Sequence, residues 1–527
     1  MSDAATLDRF LDACAQAGAA MRVSGEQYLS PAVLLEVAAE HWGLAASAAR
    51  SMNLRWSALW ADPRADHNEV FCLLEGAGEY LLLRTEIGFD EALSSHAGIF
   101  AAADRPERHA RDMLGLAFAD APDERRWTRH QAWPENHFPL REEADGADTE
   151  WSPTPADSAY PFVSAQGAGV VEIPVGPIHA GIIEPGHFRF QAIGEVVLNL
   201  EIHLGYVHKG IEKIARGRDA EGLVRLAARV SGDSCVAHAW AACQAIERAT
   251  VTEVPARALW LRAIMAERER IANHLGDIGA ICNDVGFAFA QYQMTRLKED
   301  FVRESNDAFG HRFMMDCVVC GGVTRDLDAD AANSMVEQAN AMASEVEQII
   351  DIIEDAESLE DRLMTTGRLT PEQAQMLGVV GYVGKASGLN FDVRAAAAYP
   401  PYNKFEVPVS SYRAGDVAAR AKVRADEVGI SLALLNALLA SLPGGSIRVP
   451  VRRPAHSCSG LGIVEGWRGE IVSYVRLEAD GRVARFYPRD PSWLLWPALE
   501  LLQQDNIVPD FPVCNKSING SYSGQDL

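Results

Sequence analysis

The sequence predicts an α+β protein in which a small N-terminal α/β domain is joined to a larger, mainly α-helical domain with peripheral β-hairpins. Three observations predict this fold class. A chain of 527 residues is too long for one ordinary core. An acidic segment rich in Pro and Ser interrupts it at residues 142–162, and the hydrophobic pattern becomes strongly helical beyond that segment. The predicted domains are therefore residues 1–141 and 163–527, with residues 142–162 as the linker.

The first domain mixes two kinds of local pattern. Short apolar runs at residues 70–74 and 80–84 indicate strands, whereas residues 31–42 carry apolar side chains at three- and four-residue spacing, which indicates a helix. An α/β arrangement follows.

Long helical stretches dominate the second domain. Apolar residues recur at helical spacing in residues 219–248, 257–280 and 328–356, which predicts a helix-bundle core. Near the end of the chain, alternating segments flank Asp480-Gly481, which predicts a β-hairpin packed at the end of the bundle.

Composition and charge narrow the function. Lys and Arg total 48 against 73 Asp and Glu, and the net charge of -25 argues against nucleic-acid binding. The sequence has no apolar run of the roughly 20 residues that a transmembrane helix needs, and it starts without a signal-like segment, so a cytoplasmic chain is expected. The nine cysteines are scattered and do not suggest a disulfide framework.

A motif-rich segment closes the first domain. Residues 107–118 read ERHARDMLGLAF, an Arg-rich turn follows, and residues 137–141 read HFPLR. This pattern resembles the 30-kDa-type subunit of complex I and its hydrogenase relatives. The resemblance implies a domain that docks against partners.

The second domain carries an ordered series of motifs. They are GPIHAGIIEPGHFRF at 176–190 and GYVHKGIEKIARGR at 205–218, followed by related segments at 267–280, 379–394, 401–409, 415–428 and 462–475. The series resembles the 49-kDa-type subunit of complex I and the large subunit of group 4 [NiFe] hydrogenases. Fusion of both subunits in one chain is typical of the formate-hydrogenlyase type. In the helix at 267–280, Glu267 and Arg270 are placed to pair, and His274 is either a packing residue or a group that touches the cavity.

The nickel ligands of that family are missing. The motif R-x-C-G-x-C reads Ser231 and Ser234 at its two cysteine positions, and hydroxyls are poor ligands for a [NiFe] centre, so no metal is expected. Cys235 lies one residue further along a helix, rotated by roughly 100°. The second motif, D-P-C-x-x-C, has no thiolate pair in the last stretch, where Cys514 is the one cysteine, and Cys317 and Cys320 are interpreted as buried neighbours.

The resemblance also suggests site residues. His179 matches a quinone-binding histidine, while the family's quinone-binding tyrosine falls at Gly232, which leaves that pair of donors incomplete. Glu184, His187 and Arg468 match groups around the hydrogenase site and are candidate proton-handling residues, unless Glu184 and Arg468 form an internal ion pair. Asp233 is new at its position, and we expect it to replace lost metal charge by pairing with Arg229 or Arg468.

The resemblance implies a redox subunit of a membrane-associated, complex-I-like assembly. It would pass electrons from a partner iron–sulfur subunit to a quinone-like acceptor, with membrane subunits translocating ions. The cofactors expected are therefore iron–sulfur clusters on partner subunits and a quinone, with none held by this chain, at the cytoplasmic face of the inner membrane. No dinucleotide fingerprint is present to bind NAD. The alternative is a non-catalytic subunit that transmits conformational change or holds the assembly together.

Overall fold

The computed structural model describes residues 6–25, 29–130, 137–141, 160–181 and 183–527. Most of the expected linker, residues 142–159, lies outside the described residues. The described part is mixed α and β, as the sequence predicts, with a small sheet domain first and a helical region after it.

A five-stranded sheet forms the N-terminal domain. Its order is β1-β2-β5-β4-β3, and β2 and β5 are parallel whereas the other neighbours are antiparallel. The strands of this sheet are β1 Met21–Val23, β2 Ala32–Val37, β3 Arg55–Pro63, β4 His67–Gly76 and β5 Glu79–Gly88, and two short strands outside it are β6 Ala92–Ser94 and β7 Ala117–Ala119. The helices of this domain are α1 Thr6–Gln16, α2 Trp42–Ser51 and α3 Asp104–Leu114. The expected strands at 70–74 and 80–84 lie within β4 and β5.

The prediction of a helix at residues 31–42 was wrong. Residues Ala32–Val37 form β2, which pairs with β5, and helix α2 begins only at Trp42. A short apolar run has the same hydrophobic spacing in a buried strand and a buried helix, so tertiary pairing decides between them.

The helices of the second domain pack around the long α7 and α14. The elements are β8 Val170–Val175, β9 His187–Ile193, β10 Val196–His203, α4 Ile211–Ala215, α5 Ala220–Ala227, α6 Cys235–Ala249, α7 Ala256–Asp284, α8 Ala288–Phe309, β11 Val318–Val319, β12 Gly322–Val323, α9 Ala329–Glu354, α10 Glu357–Leu363, α11 Pro371–Met376, α12 Gly381–Ala386, α13 Val393–Ala396, α14 Val417–Ala440, β13 Cys458–Gly466, β14 Gly469–Leu477, β15 Val483–Arg489, α15 Ser492–Leu502, α16 Phe511–Ile518 and α17 Tyr522–Asp526.

Two of the three long helices form nearly as expected, and the third is divided. α7 contains residues 257–280 and α9 covers most of 328–356, but the stretch 219–248 splits into α5 and α6. The break at residues 228–234 carries Ser231, Asp233 and Ser234. These side chains are therefore presented from a turn and not from a helix face, and Ser231 and Ser234 are buried there.

The hairpin expected near the end of the chain is part of a three-stranded antiparallel sheet, β13-β14-β15. The N-terminal sheet packs directly against it, and one hydrophobic core runs through both. Trp60 of β3, for example, lies 5.3 Å from Tyr474 and 5.4 Å from Tyr487 between ring centroids.

A buried carboxylate fastens the two sheets together. Glu470 of β14 is fully buried, accepts hydrogen bonds from Arg55 (2.7 Å) and Ser57 (2.6 Å) of the N-terminal sheet, and also pairs with Arg489. Burial alone would raise its pKa, but Arg55 and Arg489 lower the pKa of Glu470 to about 2. The carboxylate is therefore ionised at neutral pH.

Replacing Glu470 with Gln should destabilise the protein strongly. The change leaves Arg55 and Arg489 buried beside a neutral amide, and breaking a buried pair in this way costs roughly 3–5 kcal/mol. Urea denaturation measures the change in unfolding free energy. The control is Glu345→Gln in an exposed ion pair with Arg296, where about 1 kcal/mol or less is expected. Equal effects of the two substitutions would contradict this account.

Candidate functional site

Three chain segments converge on one site. The α5–α6 junction supplies residues 231–234, the two-residue turn between β13 and β14 supplies Trp467 and Arg468, and the last segment supplies Asn519 to Tyr522. At Gly469, whose φ is +126°, a Cβ would lie 2.8 Å from the backbone nitrogen of Gly381, so the turn that carries Arg468 requires glycine there.

An ion pair lies at the centre of the site. The Asp233 carboxylate receives two hydrogen bonds from the Arg468 guanidinium, Nη1 to Oδ1 and Nη2 to Oδ2, both 2.6 Å long. Arg468 Nε also donates to the Asn519 carbonyl at 2.6 Å. Burial acts to raise the pKa of Asp233, but Arg468 and the Ser231 hydroxyl hold that pKa below its usual value. Of the two partners expected for Asp233, the structure therefore selects Arg468.

Serine hydroxyls surround this pair, and Ser231 and Ser234 are the residues that the sequence resemblance aligns with the cysteines of R-x-C-G-x-C. Ser231 Oγ lies 2.8 Å from Ser521 Oγ and donates to Asp233 Oδ1 at 2.8 Å, while Arg468 Nη1 lies 3.3 Å from Ser234 Oγ. Ser521 and Gly524 have the spacing of the second cysteine pair, C-x-x-C. Because Ser521 contacts Ser231, we assign the two cysteine positions of this motif to Ser521 and Gly524. Sequence reasoning did not identify these two residues.

A [NiFe] centre does not fit the residues present. Three of the four ligand positions are hydroxyls, and at the fourth a Cβ on Gly524 would lie 2.6–2.9 Å from the Asp490 carboxyl group. Asp490 is itself held in place by His238 Nε2 at 2.8 Å and by the Ser492 amide at 2.8 Å. The space of the fourth ligand is therefore filled, and the middle of the site is taken by the Asp233–Arg468 pair.

The cysteines considered as possible metal ligands lie outside this site. The Cys235 thiol donates to the Phe313 carbonyl at 2.9 Å, away from Ser231 and Ser234, as the helical rotation predicts. Cys317, Cys320 and Cys514 are buried, and burial raises the pKa of Cys514 to about 12. These thiols are packing groups in the fold.

A cavity of about 670 Å³ opens beside the ion pair. This volume is in the range of small-molecule sites. Its walls combine apolar side chains, amides and charged groups: Val175, His179, Ala180, Ile183, Glu184, Asp233, Ala280, Asn283, Asp284, Gln291, Arg468, Phe511, Pro512, Asn515, Lys516, Asn519, Gly520, Ser521 and Tyr522.

An imidazole and a phenol meet on the cavity wall. His179 Nε2 and the Tyr522 hydroxyl are 3.4 Å apart. Desolvation lowers the pKa of His179 and raises the pKa of Tyr522, so both side chains are neutral near pH 7. Sequence reasoning found His179 and missed Tyr522, because Tyr522 belongs to the last segment and only folding brings it to the loop after β8.

Glu184 lies on the cavity wall but does not pair with Arg468. It is exposed, and its Oε2 accepts a hydrogen bond from the Ser523 amide at 3.0 Å. The alternative prediction of an internal ion pair between Glu184 and Arg468 is therefore wrong, because the Arg468 guanidinium pairs with Asp233 instead.

Two expected site residues lie away from the cavity. His187 faces inward at the start of β9, where its Nδ1 lies 3.3 Å from the Gly176 carbonyl oxygen and its ring packs on Phe162. Arg229 forms an ion pair with Asp316 on an exposed surface. The site residues that do meet at the cavity are His179, Glu184, Asp233 and Arg468, with Ser231 and Ser234 directly beneath.

The signature segment 205–218 fastens the site to the rest of the fold. Lys209 Nζ donates to the Ser523 carbonyl at 2.9 Å and so fixes the segment that carries Tyr522. Glu212 is buried between His109 of the N-terminal domain, at 2.7 Å, and Arg485 of β15, at 2.5 Å. Burial acts to raise its pKa, but Arg485 and His109 lower the pKa of Glu212 to about 2.

Comparison with known families agrees with this architecture. Residues 35–150 match the family described as respiratory-chain NADH dehydrogenase, 30 Kd subunit, and residues 284–459 match the respiratory-chain NADH dehydrogenase, 49 Kd subunit. Between them, residues 209–276 match the nickel-dependent hydrogenases. The small sheet domain and the helical domain thus correspond to two subunit types fused in one chain.

Individual relatives define the family. The chain is 33% identical to formate hydrogenlyase subunit 5 of Escherichia coli (strain K12) over 424 residues, which are 80% of this chain and 74% of that protein. It is 30% identical to the carbon monoxide-induced hydrogenase of Rhodospirillum rubrum over 67% of this chain and 98% of that protein. The chain therefore belongs to the complex I and membrane-bound hydrogenase family of redox subunits, and within it to the fused 30-kDa/49-kDa form.

A solved structure supports the fold. A chain of the archaeal membrane-bound sulfane sulfur reductase superposes with a TM-score of 0.64 at 23% identity, covering 68% of this chain and 99% of that chain. At this identity the likeness concerns the fold alone.

Gly524 and Gly232 provide a test of the filled ligand position. Gly524→Ala should destabilise the protein by about 1–3 kcal/mol, because the new methyl group must displace the Asp490 carboxylate. Gly232→Ala, in the same site, should change stability by less than about 0.5 kcal/mol, because no atom lies within 4 Å of its added Cβ. Thermal unfolding of both variants measures the difference. If Gly524→Ala is as stable as Gly232→Ala, the fourth ligand position is open and the account of a filled site is wrong.

Proposed function

We propose that this chain passes electrons from a partner iron–sulfur subunit to a quinone-like acceptor bound in the cavity, within an assembly that couples the reaction to ion translocation. The observation that carries the proposal is the neutral His179–Tyr522 pair on the wall of a partly apolar cavity, beside an ion pair that replaces a metal centre. Such a site supplies hydrogen bonds to a carbonyl compound and offers no thiolate ligands to a [NiFe] centre.

The chemistry requires few groups from the protein. Reduction of a quinone to a quinol takes up two electrons and two protons, and the charge develops on the two carbonyl oxygens. Neutral His179 and Tyr522 can each donate a hydrogen bond to a carbonyl oxygen and stabilise that charge. Asp284, whose pKa is raised by partial desolvation against the influence of Lys516, stands on the same cavity wall as a candidate proton donor.

The electrons have to come from another subunit. Among the described residues, no group of three or more potential metal ligands contains a cysteine, so the chain offers no thiolate set for an iron–sulfur cluster there. Apolar side chains are exposed on elements that border the cavity: Ile178 at 86%, Ile183 at 37%, Phe289 at 44% and Tyr292 at 73%. A partner that carries the clusters and covers this rim would bring its electrons next to the site.

The membrane enters through further partners. None of the helices in the described part of the chain is long and apolar enough to cross a membrane. The similarity to the membrane-bound hydrogenase subunit alpha of Pyrococcus furiosus supports the further proposal that separate membrane subunits translocate ions, with this chain as a peripheral subunit on the cytoplasmic side of the inner membrane.

A second candidate function is non-catalytic. Asp233, Ser231, Ser521 and Arg468 bond to one another across three chain segments, which is also what a site converted to a structural joint requires. In that case the subunit would transmit conformational change or hold the assembly together.

Substitution of the two cavity donors separates these candidates. His179→Ala and Tyr522→Phe should each lower kcat for quinone reduction on the order of 10²-fold, because each removes a donor to developing negative charge. The assay follows quinol formation by the purified complex with a soluble quinone and a chemical reductant that feeds the iron–sulfur partner. The control is Tyr412→Phe, whose hydroxyl donates to Asp426 at 2.7 Å outside the cavity, and which should leave the rate unchanged.

The structural candidate predicts a different pattern. Under that candidate, His179→Ala and Tyr522→Phe leave electron transfer unchanged, whereas Asp233→Asn breaks the joint and releases subunits from the complex. Size-exclusion chromatography of the variant complexes detects such a release.

A further inference from the structure

A closed set of charged side chains lies deeper in the helical domain, and the proposed quinone chemistry does not use it. Its members are at most 2% exposed and come from α7, α12, α13 with its N-cap residue Asp392, α14 and β13: Glu267, Arg270, His274, Lys385, Asp392, Arg394, Glu427 and Glu465. We call this set the buried charge cluster.

Short contacts make the cluster continuous. His274 Nε2 lies 2.7 Å from Glu427, Glu427 lies 2.6 Å from Lys385 Nζ, and Lys385 lies 2.7 Å from Asp392. Arg394 then joins Asp392, at 2.8 Å, to Glu267, at 2.9 Å. One end of the chain is His274, whose ring packs against Trp467, the neighbour of Arg468 in the site, with 5.8 Å between ring centroids.

The charges of the cluster do not balance. Four carboxylates, Glu267, Asp392, Glu427 and Glu465, face three permanent cations, Arg270, Lys385 and Arg394. With every carboxylate ionised and His274 neutral, one negative charge would be buried without compensation, which is strongly unfavourable in a low-dielectric interior. One additional proton makes the cluster neutral.

The hydrogen bonds indicate where that proton lies. Glu267, Asp392 and Glu427 each contact a cation at 2.9 Å or less. Glu465 does not: its Oε2 accepts only the Val393 amide at 3.1 Å, its Oε1 has no hydrogen-bond partner, and its nearest cation, Lys385 Nζ, is 4.0 Å away. Glu465 is therefore the least stabilised anion in the cluster.

We propose that the buried charge cluster is a proton store, in which Glu465 is a neutral carboxylic acid and His274 is the acceptor at the end nearest the site. In the transfer the O–H bond of Glu465 breaks and an N–H bond forms at His274 Nε2, the nitrogen that Glu427 contacts at 2.7 Å, while the other ring proton of His274 stays on Nδ1. Lys385 and Glu427 lie between the two and end the step in the charge states in which they began. That the proton serves quinone reduction rests on the proposed function, whereas the existence of the store does not.

The electrostatics around Glu465 support this assignment. Burial and the Asp392 carboxylate raise its pKa to about 8, although Lys385, Arg270 and Arg394 act to lower it. The remaining polar neighbour is the Tyr399 hydroxyl, which accepts a hydrogen bond from the Glu465 amide at 3.2 Å. Burial, Arg270 and Arg424 also lower the pKa of His274, although Glu427 acts to raise it, so the imidazole is neutral at rest.

Infrared difference spectroscopy tests the store directly. The spectrum of the wild-type protein minus that of Glu465→Gln, at pH 7, should contain the C=O stretching band of a protonated carboxylic acid, and the band should fade as the pH rises through about 8. The matched control, Glu345→Gln, replaces an exposed carboxylate that is paired with Arg296, and it should give no such band. Absence of the band from the Glu465→Gln difference spectrum would overturn the proposal.

Stability provides a second readout. Because the pKa of Glu465 is higher in the folded protein than in the unfolded chain, its contribution to stability is present at low pH and falls as the pH rises from about 4 to about 8. The melting temperature of the wild type relative to Glu465→Gln should therefore fall over this range. A variant that is destabilised equally at every pH would contradict the proposal, because it would show that the pKa of Glu465 is not raised by folding.

Neither measurement needs quinone turnover, so their outcome is independent of the proposed function. Activity then connects the two proposals. If both hold, Glu465→Gln shifts the pH profile of quinone reduction, whereas His179→Ala lowers the rate at every pH. A positive infrared result with an unchanged pH profile would retain the store and reject its link to the cavity.

Discussion

The Asp233–Arg468 ion pair is the interaction on which the site depends. It joins the α5–α6 junction, the β13–β14 turn and the last segment of the chain at the point where the sequence resemblance predicts the ligands of a hydrogenase metal centre. A metal centre would fasten these segments by coordination bonds. Here two charge-assisted hydrogen bonds and a pair of serine hydroxyls do so, and they require neither thiolates nor a metal.

Buried ion pairs also connect the elements around the site to the N-terminal domain. Glu470 and Glu212 are buried carboxylates that bind arginines on one side and the N-terminal domain on the other. The N-terminal sheet is therefore part of the rigid body that holds β13 and β14, and with them the turn carrying Arg468. The contacts that dock the N-terminal domain on β14 also position the turn that carries Arg468. A shift of β14 would therefore change both the docking of the domain and the geometry of the site.

Sequence reasoning predicted the fold class, the order of the motifs and, as one of two options for Asp233, its ion pair with Arg468. Sequence reasoning missed residues whose role depends on contacts between segments that are far apart in the sequence. Tyr522 and the ligand-equivalent positions Ser521 and Gly524 could not be assigned, because their role is defined by contacts with residues near 179 and 231. The strand at residues 32–37 was missed for a related reason, since its pairing with β5 overrides an ambiguous local pattern. Arg229 was expected in the site from its place in the motif, yet the break between α5 and α6 turns it toward Asp316.

We expect charge and hydrogen bonds of the protein to replace a nickel–iron centre at this site. Elemental analysis of the complex purified from its native host, for nickel, iron and acid-labile sulfide together, tests this most directly. The expected result is iron and sulfide from the partner clusters and no nickel. Stoichiometric nickel would contradict it, because a metal would then be held where the structure has Asp233 and Arg468.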